Sequence, residues 1–302
     1  MTKKMLVINL LLGLAGLGAI AYLGICVFLL VWQNRLLFVT KQNIEDTPAQ
    51  LSLPYEEVWL PVENQGQQIG KVHGWWLPSK AISADVLLFL HGNGGSIGHN
   101  LKYAQLFHQL GFSTFMIDYR GYGKSQGKFP TEQQVYQDAQ IAWDYLVQKK
   151  GINPQQIIVY GHSLGGAIAI ELASQNPTMA GLVVEGSFTS MKDMVVFKGE
   201  YTWFPIDAIL TQRFDSLDKV KSLSVPLLLI HGEQDTIVPS YMSESLFTAA
   251  NEPKRLLLIS DAGHNDVPEV SGEEYLQTIQ NFHQWVMEIN PSKMRNQETS
   301  VK

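Results

Sequence analysis

The chain has 302 residues, 45% hydrophobic and 17% charged, which suits one α/β domain with a sizeable core plus an appendage. Its formal net charge is −6 and it has no long basic run, which argues against a nucleic-acid partner. Cys26 is its one cysteine, so an intramolecular disulfide is excluded and the redox compartment stays open.

Residues 5–34 carry no charge, and residues 5–32 are almost wholly apolar. About 20 such residues let a helix cross the hydrocarbon layer, so residues 1–34 are read as a transmembrane anchor. Ala19-Ile20-Ala21 resembles a leader cleavage site, but the apolar run continues through Trp32, which argues for retention. Bulky Ile25 before Cys26 argues against a lipoprotein site. Lys3 and Lys4 precede the segment and Arg35 and Lys41 follow it, a balance that leaves the side of the main domain open. Residues 35–54 are mixed and polar, a juxtamembrane linker.

The main domain is expected over residues 55–289. Residues 58–62 and 70–77 read as a hairpin joined at Glu63-Asn64-Gln65-Gly66. Residues 84–90 form a buried strand ending in His91-Gly92-Asn93-Gly94-Gly95, and residues 113–119 lead into Arg120-Gly121-Tyr122-Gly123. Thr131 and Gln134 form a capping box for a helix whose apolar positions include Val135, Ala139, Ala142 and Leu146. Further strands fall at residues 155–160, 181–185, 225–230 and 255–259. Ser271 and Glu274 open a last amphipathic helix, and residues 290–302 are a polar tail. Strands alternating with helices predict an α/β fold: a mostly parallel sheet covered on both faces, with chemistry at the carboxyl ends of its strands.

The chain is organised around Gly161-His162-Ser163-Leu164-Gly165. A β-branched run precedes it and a helix-forming run, Gly166-Ala167-Ile168-Ala169, follows it. Strand, sharp turn and helix are the setting in which G-x-S-x-G presents a nucleophile. A serine hydroxyl needs a histidine to take its proton and a carboxylate to hold that histidine's tautomer. Of the eight histidines, His264 follows the last strand at the expected end of the sheet, whereas His91 and His231 read as loop braces. Asp235 follows the penultimate strand, giving the order Ser163, Asp235, His264; Glu233, Asp261 and Glu185 are its competitors for the acid. The backbone N–H groups of Leu164 and Asn93 are the expected oxyanion donors. The glycine loop at residues 91–95 lacks both the dinucleotide fingerprint and a Gly-Lys-Ser/Thr sequence, so no cofactor and no metal are expected.

His91-Gly92-Asn93-Gly94, Asp118-Tyr119-Arg120-Gly121-Tyr122-Gly123, the serine motif, Asp235 and Gly263-His264 occur together and in order. On these motifs the chain resembles the α/β-hydrolases, and within them membrane-anchored α/β-hydrolase-domain proteins similar to monoglyceride lipases and serine aminopeptidase-like hydrolases. The resemblance covers roughly residues 58–289. It implies Ser163, Asp235 and His264 as a triad, with Asn93 and Leu164 donating to the oxyanion. It leaves the substrate open among esters, lipids, thioesters and peptides. Residues 187–224 stand where such proteins carry a cap, and Met191, Met194, Phe197, Tyr201, Trp203 and Phe204 make it apolar, as an acyl pocket requires. The expectation is a membrane-anchored serine hydrolase of ester or acyl-lipid substrates. The alternatives are an acyl-protein thioesterase, a serine peptidase, or a catalytically silent tethered binding protein. Oligomeric state is not legible in the sequence.

Overall fold

The computed structural model describes residues 3–42, 46–81 and 84–289. Eight strands make one sheet: β1 (Glu56–Asn64), β2 (Gln67–Leu77), β3 (Val86–Leu90), β4 (Ser113–Asp118), β5 (Ile157–His162), β6 (Gly181–Glu185), β7 (Leu227–Gly232) and β8 (Lys254–Ile259). Across the sheet they run β1-β2-β4-β3-β5-β6-β7-β8. β2 is antiparallel to both of its neighbours, β1 and β4. The other pairings are parallel.

The central strands are uninterrupted apolar runs because helices cover both faces. In β3, Val86, Leu88 and Leu90 pack into one layer while Leu87 and Phe89 pack into the other. The first layer is built by α3 (Glu132–Asp144), α4 (Leu164–Gln175) and α8 (Tyr241–Ala249), the second by α2 (Leu101–Gln109) and α10 (Glu273–Glu288). α4 is apolar nearly all round and almost wholly buried, as a helix enclosed between the sheet and other helices must be. β1 alternates buried Val58, Leu60 and Val62 with solvent-facing residues, and it is the outermost strand, where Pro61 costs no ladder bond.

The capping box forms as expected: Gln134 N–H donates to Thr131 Oγ1 at 3.3 Å, and Thr131 N–H to Gln134 Oε1 at 3.0 Å. The hairpin turns at Gln65 and Gly66, whose φ angles of 50° and 78° are those of a tight primed turn. Ser271 does not open the last helix. Its hydroxyl bonds back to Val267 O inside α9 (Val267–Ser271), and Gly272, at φ 51°, breaks the chain before Glu273. Helices α2 and α8 were not legible from the sequence. The polar tail lies outside the described residues.

Two elements position the site. Residues 187–224, the stretch expected to be a cap, hold three short helices, α5 (Met191–Lys198), α6 (Ile206–Ile209) and α7 (Ser216–Val220). At the N-terminus, α1 (Lys3–Leu37) runs for 35 residues with a mean hydropathy of 2.5 over its most apolar window, long and apolar enough to cross a membrane or to serve as a signal sequence. The stretch read as a polar linker begins differently: Phe38 is buried in the core and packs edge-on against Phe214 of the cap at 6.2 Å.

Candidate active site

β5 ends and α4 begins at Ser163, which sits at φ 55°, ψ −119°. Such a backbone costs a non-glycine residue about 1–3 kcal/mol and persists only where its surroundings enforce it. The enforcement is close packing. A Cβ on Gly161 would lie 2.2 Å from Gly165 O, and one on Gly165 would lie 2.0 Å from Leu90 O. The bend therefore forms only with glycine at both positions, and it lifts the Ser163 hydroxyl above the carboxyl edge of the sheet.

His264 descends from the loop after β8 and Asp235 from the loop after β7. Ser163 Oγ lies 3.0 Å from His264 Nε2, and His264 Nδ1 lies 2.6 Å from Asp235 Oδ2. A carboxylate only accepts, so Nδ1 carries the proton and Nε2 presents its lone pair to the Ser163 hydroxyl. The other carboxylate oxygen of Asp235 accepts the N–H groups of Ile237 and Val238, both at 2.8 Å. His231 Nε2–H adds a bond to Oδ2 at 3.1 Å while its Nδ1 meets Ser243 Oγ at 2.6 Å. Burial alone would raise the Asp235 pKa. The bonds from His231, His264 and Val238 outweigh it and hold the carboxyl well below the usual carboxylate range.

The rival acids lie elsewhere. Glu233 and Asp261 are exposed. Glu185, at the end of β6, is buried beneath the hydroxyls of Tyr103, Tyr160 and Tyr275, and its nearest histidine is His162 at 3.8 Å. Burial, with the charge of Glu185, pushes those three tyrosines far above the ordinary phenol value, so they stay donors. His162 Nε2–H donates to His264 O at 3.0 Å, bracing the histidine loop from below. Burial, opposed by Glu185, lowers the His162 pKa. His91, also lowered by burial, donates Nδ1–H to Gly92 O at 2.6 Å within the glycine loop.

That loop and the start of α4 flank the serine. A Cβ on Gly92 would lie 3.2 Å from Ser163 Cβ, which places the loop directly beside it. Leu164 is the first residue of α4, where an N–H has no carbonyl partner within its own helix. The side chain of Asn93 is engaged elsewhere. Its Oδ1 accepts Tyr122 O–H at 2.7 Å and Val39 N–H at 3.0 Å, and its Nδ2 donates to Leu37 O. Leu37 ends α1 and Val39 lies in the strap, residues 38–42, that follows it, a contribution that sequence reasoning missed because nothing in its composition marks it.

Two cavities open at Ser163. One, of about 440 Å³, is the more polar and includes His99, Asn100, Lys102 and Asn265 in its wall. The other, of about 210 Å³, is apolar and is formed by the strap together with Met191, Met194, Phe214 and Ile237. Trp203 and Phe204, two of the aromatics expected to wall an acyl pocket, are not among the residues lining this second cavity. Trp203 is 85% exposed, and Phe204 stacks on Tyr22 of α1.

Relatives match this chain over most of their length. The chain is 30% identical over 289 residues to the α/β hydrolase domain-containing protein WAV2 of Arabidopsis thaliana, covering 88% of this chain and 92% of that one. It belongs to the α/β-hydrolase superfamily. Protein bem46 of Schizosaccharomyces pombe is 32% identical over 266 residues, covering 84% of this chain and 87% of that one. The serine aminopeptidase, S33 family matches residues 82–217, a stretch that holds Asn93 and Ser163 and ends before Asp235. Among solved structures, the Pyrococcus furiosus esterase Pf2001 shares the fold with a TM-score of 0.67 at 21% identity, over 82% of this chain and 97% of that one. Membership of this superfamily supports hydrolase activity.

Proposed function

We propose that the protein is a serine hydrolase that cleaves carboxylic esters through an acyl-enzyme and is held in a membrane by α1. The hydrogen-bonded chain from Ser163 through His264 to Asp235 carries this reading. Ser163 Oγ attacks the carbonyl carbon as His264 Nε2 takes its proton, and Asp235 stabilises the imidazolium so formed. The oxyanion is received by the N–H groups of Leu164 and Asn93 at the positive end of α4. Collapse expels the alcohol, which takes the proton from His264. Water then attacks the acyl-enzyme with His264 as base, releasing the carboxylic acid and restoring the serine.

The pairing of an apolar cavity with a more polar one at one hydroxyl supports an acyl chain on one side and a polar leaving group on the other. A monoacyl lipid or lipid-like ester fits both. The anchor, residues 1–34 with its continuation into the strap, keeps the domain of residues 55–289 at the bilayer where such esters reside.

Turnover by the full-length protein should be compared on oxygen-ester, acyl-thioester and peptide panels. The expected result is ester hydrolysis that falls by several orders of magnitude in Ser163→Ala. A preference for thioesters would redirect the substrate to acylated proteins. Peptide turnover would make the chain a peptidase. Ester hydrolysis that survives in Ser163→Ala would overturn the mechanism.

A further inference from the structure

Among the described residues of α1, Gln33 alone is buried, and the helix is otherwise an apolar cylinder with exposed sides. Its amide is used fully. Oε1 accepts the N–H groups of Thr211 and Gln212 at 2.9 and 3.3 Å, and Nε2 donates to Ile209 O at 3.2 Å. Eleven residues earlier, about 16 Å up the helix, Tyr22 stacks on Phe204 at 5.5 Å and donates its hydroxyl to Trp203 O at 3.0 Å. The cap is therefore fastened to α1 at two levels, and it rises along a stretch of helix composed for contact with lipid. Trp203, beside Tyr22, and Val196 and Phe197 on α5 are exposed, as aromatic and apolar residues are at a membrane interface.

Beside the Gln33 fastening lies an apolar cavity of about 130 Å³, walled by Leu29, Gln33, Leu36 and Leu37 of α1 and by Phe204, Ile209 and Leu210 of the cap. Leu36 and Leu37 also wall the apolar cavity that holds Ser163. One pair of leucines thus separates a groove on the anchor from the serine.

We infer that the substrate's acyl chain reaches Ser163 from the bilayer along this groove, so that the end of the anchor, through Leu36 and Leu37, is a specificity-determining wall of the acyl pocket. The inference rests on the esterase reading above and adds to it the route and the residues that select chain length. Three features favour a lipid chain as occupant. The groove is apolar, it runs along a helix of membrane-spanning length, and the leucines at its inner end also wall the cavity that holds Ser163. An anchor serving only as a tether would need neither the Gln33 clip nor the bond from Asn93 to Leu37.

The test uses the full-length protein in phosphatidylcholine vesicles with two fluorophosphonate probes, one with an ethyl chain and one with a decyl chain bearing a diazirine near its end. After labelling of Ser163, irradiation should cross-link the decyl chain to the peptide containing Leu36 and Leu37. Leu37→Trp, which fills the groove, should slow decyl labelling relative to ethyl labelling about tenfold, the effect of leaving some two methylenes unburied. Leu17→Trp, on the exposed middle of α1, should not move that ratio. Cross-links at His99, Asn100 or Lys102, or none on α1, would overturn the route. A ratio unmoved by Leu37→Trp would overturn it too. If Leu37→Trp reacts with neither probe, the cross-link map of the unsubstituted protein decides. Failure of both probes to label Ser163 in that protein would instead refute the esterase reading.

Discussion

Asp235→Asn separates geometry from protonation. Asp235 Oδ1 accepts two backbone N–H groups, from Ile237 and Val238, so an asparagine must place its carbonyl oxygen there. Its amide then faces His264 Nδ1 and His231 Nε2, where Oδ2 now sits 2.6 and 3.1 Å away. An amide donates, so His264 must offer a lone pair at Nδ1 and carry its proton on Nε2. That tautomer cannot take the Ser163 proton. The expected loss in kcat is about 10⁴-fold, the size seen in serine proteases when the same change traps the wrong tautomer. His231 Nε2–H keeps Val238 O as an acceptor at 2.9 Å, so the stability cost is confined to two donors facing each other where Oδ2 stood, about 1–3 kcal/mol at most. The assay is p-nitrophenyl acetate hydrolysis alongside chemical denaturation, with exposed Asp261→Asn as comparison. A folded Asp235→Asn variant within tenfold of the unsubstituted rate would refute the reasoning.

Gly161→Ala should destabilise by about 1–3 kcal/mol or more, because the new methyl meets backbone atoms at 2.2 Å that cannot swing aside, whereas Gly24→Ala, with nothing within 4 Å, should be silent in the same denaturation experiment. His162 and His91 have pKa values lowered by burial from an ordinary 6.5. The unfolded chain therefore takes up protons first as pH falls through about 6.5, and the melting temperature should drop from about pH 7 to about pH 5. Asp235, held low, gives stability that is complete above about pH 4 and adds nothing in that window. His162→Gln should flatten the drop, and an unchanged slope would contradict the assignment. Carbonate washing should leave the full-length protein in the membrane fraction; release into the wash would contradict the anchor.

The sheet was legible because its parallel strands are short apolar runs, and the serine turn because close backbone approach leaves glycine no substitute. Asp235 and His264 could be placed from chain order alone, since each follows a strand at the same edge. Burial, which composition does not reveal, places one rival elsewhere: Glu185 looks like a candidate acid in sequence but lies under three tyrosines. Helix α2 escaped notice because its apolar residues Tyr103, Ala104 and Phe107 are interspersed with polar ones over only nine residues. The strap escaped for a related reason. Leu37, Phe38 and Val39 fall in the stretch read as a juxtamembrane linker, and only the fold brings them against Asn93 and Phe214.

The central claim is that Ser163 is a nucleophile activated by His264. The most direct measurement is fluorophosphonate labelling of the full-length protein, read by intact mass and peptide mapping. One adduct per chain on Ser163, absent from Ser163→Ala and strongly slowed in His264→Ala, is the result the account predicts. An adduct that maps elsewhere, or labelling of Ser163→Ala at the rate of the unsubstituted protein, would contradict it.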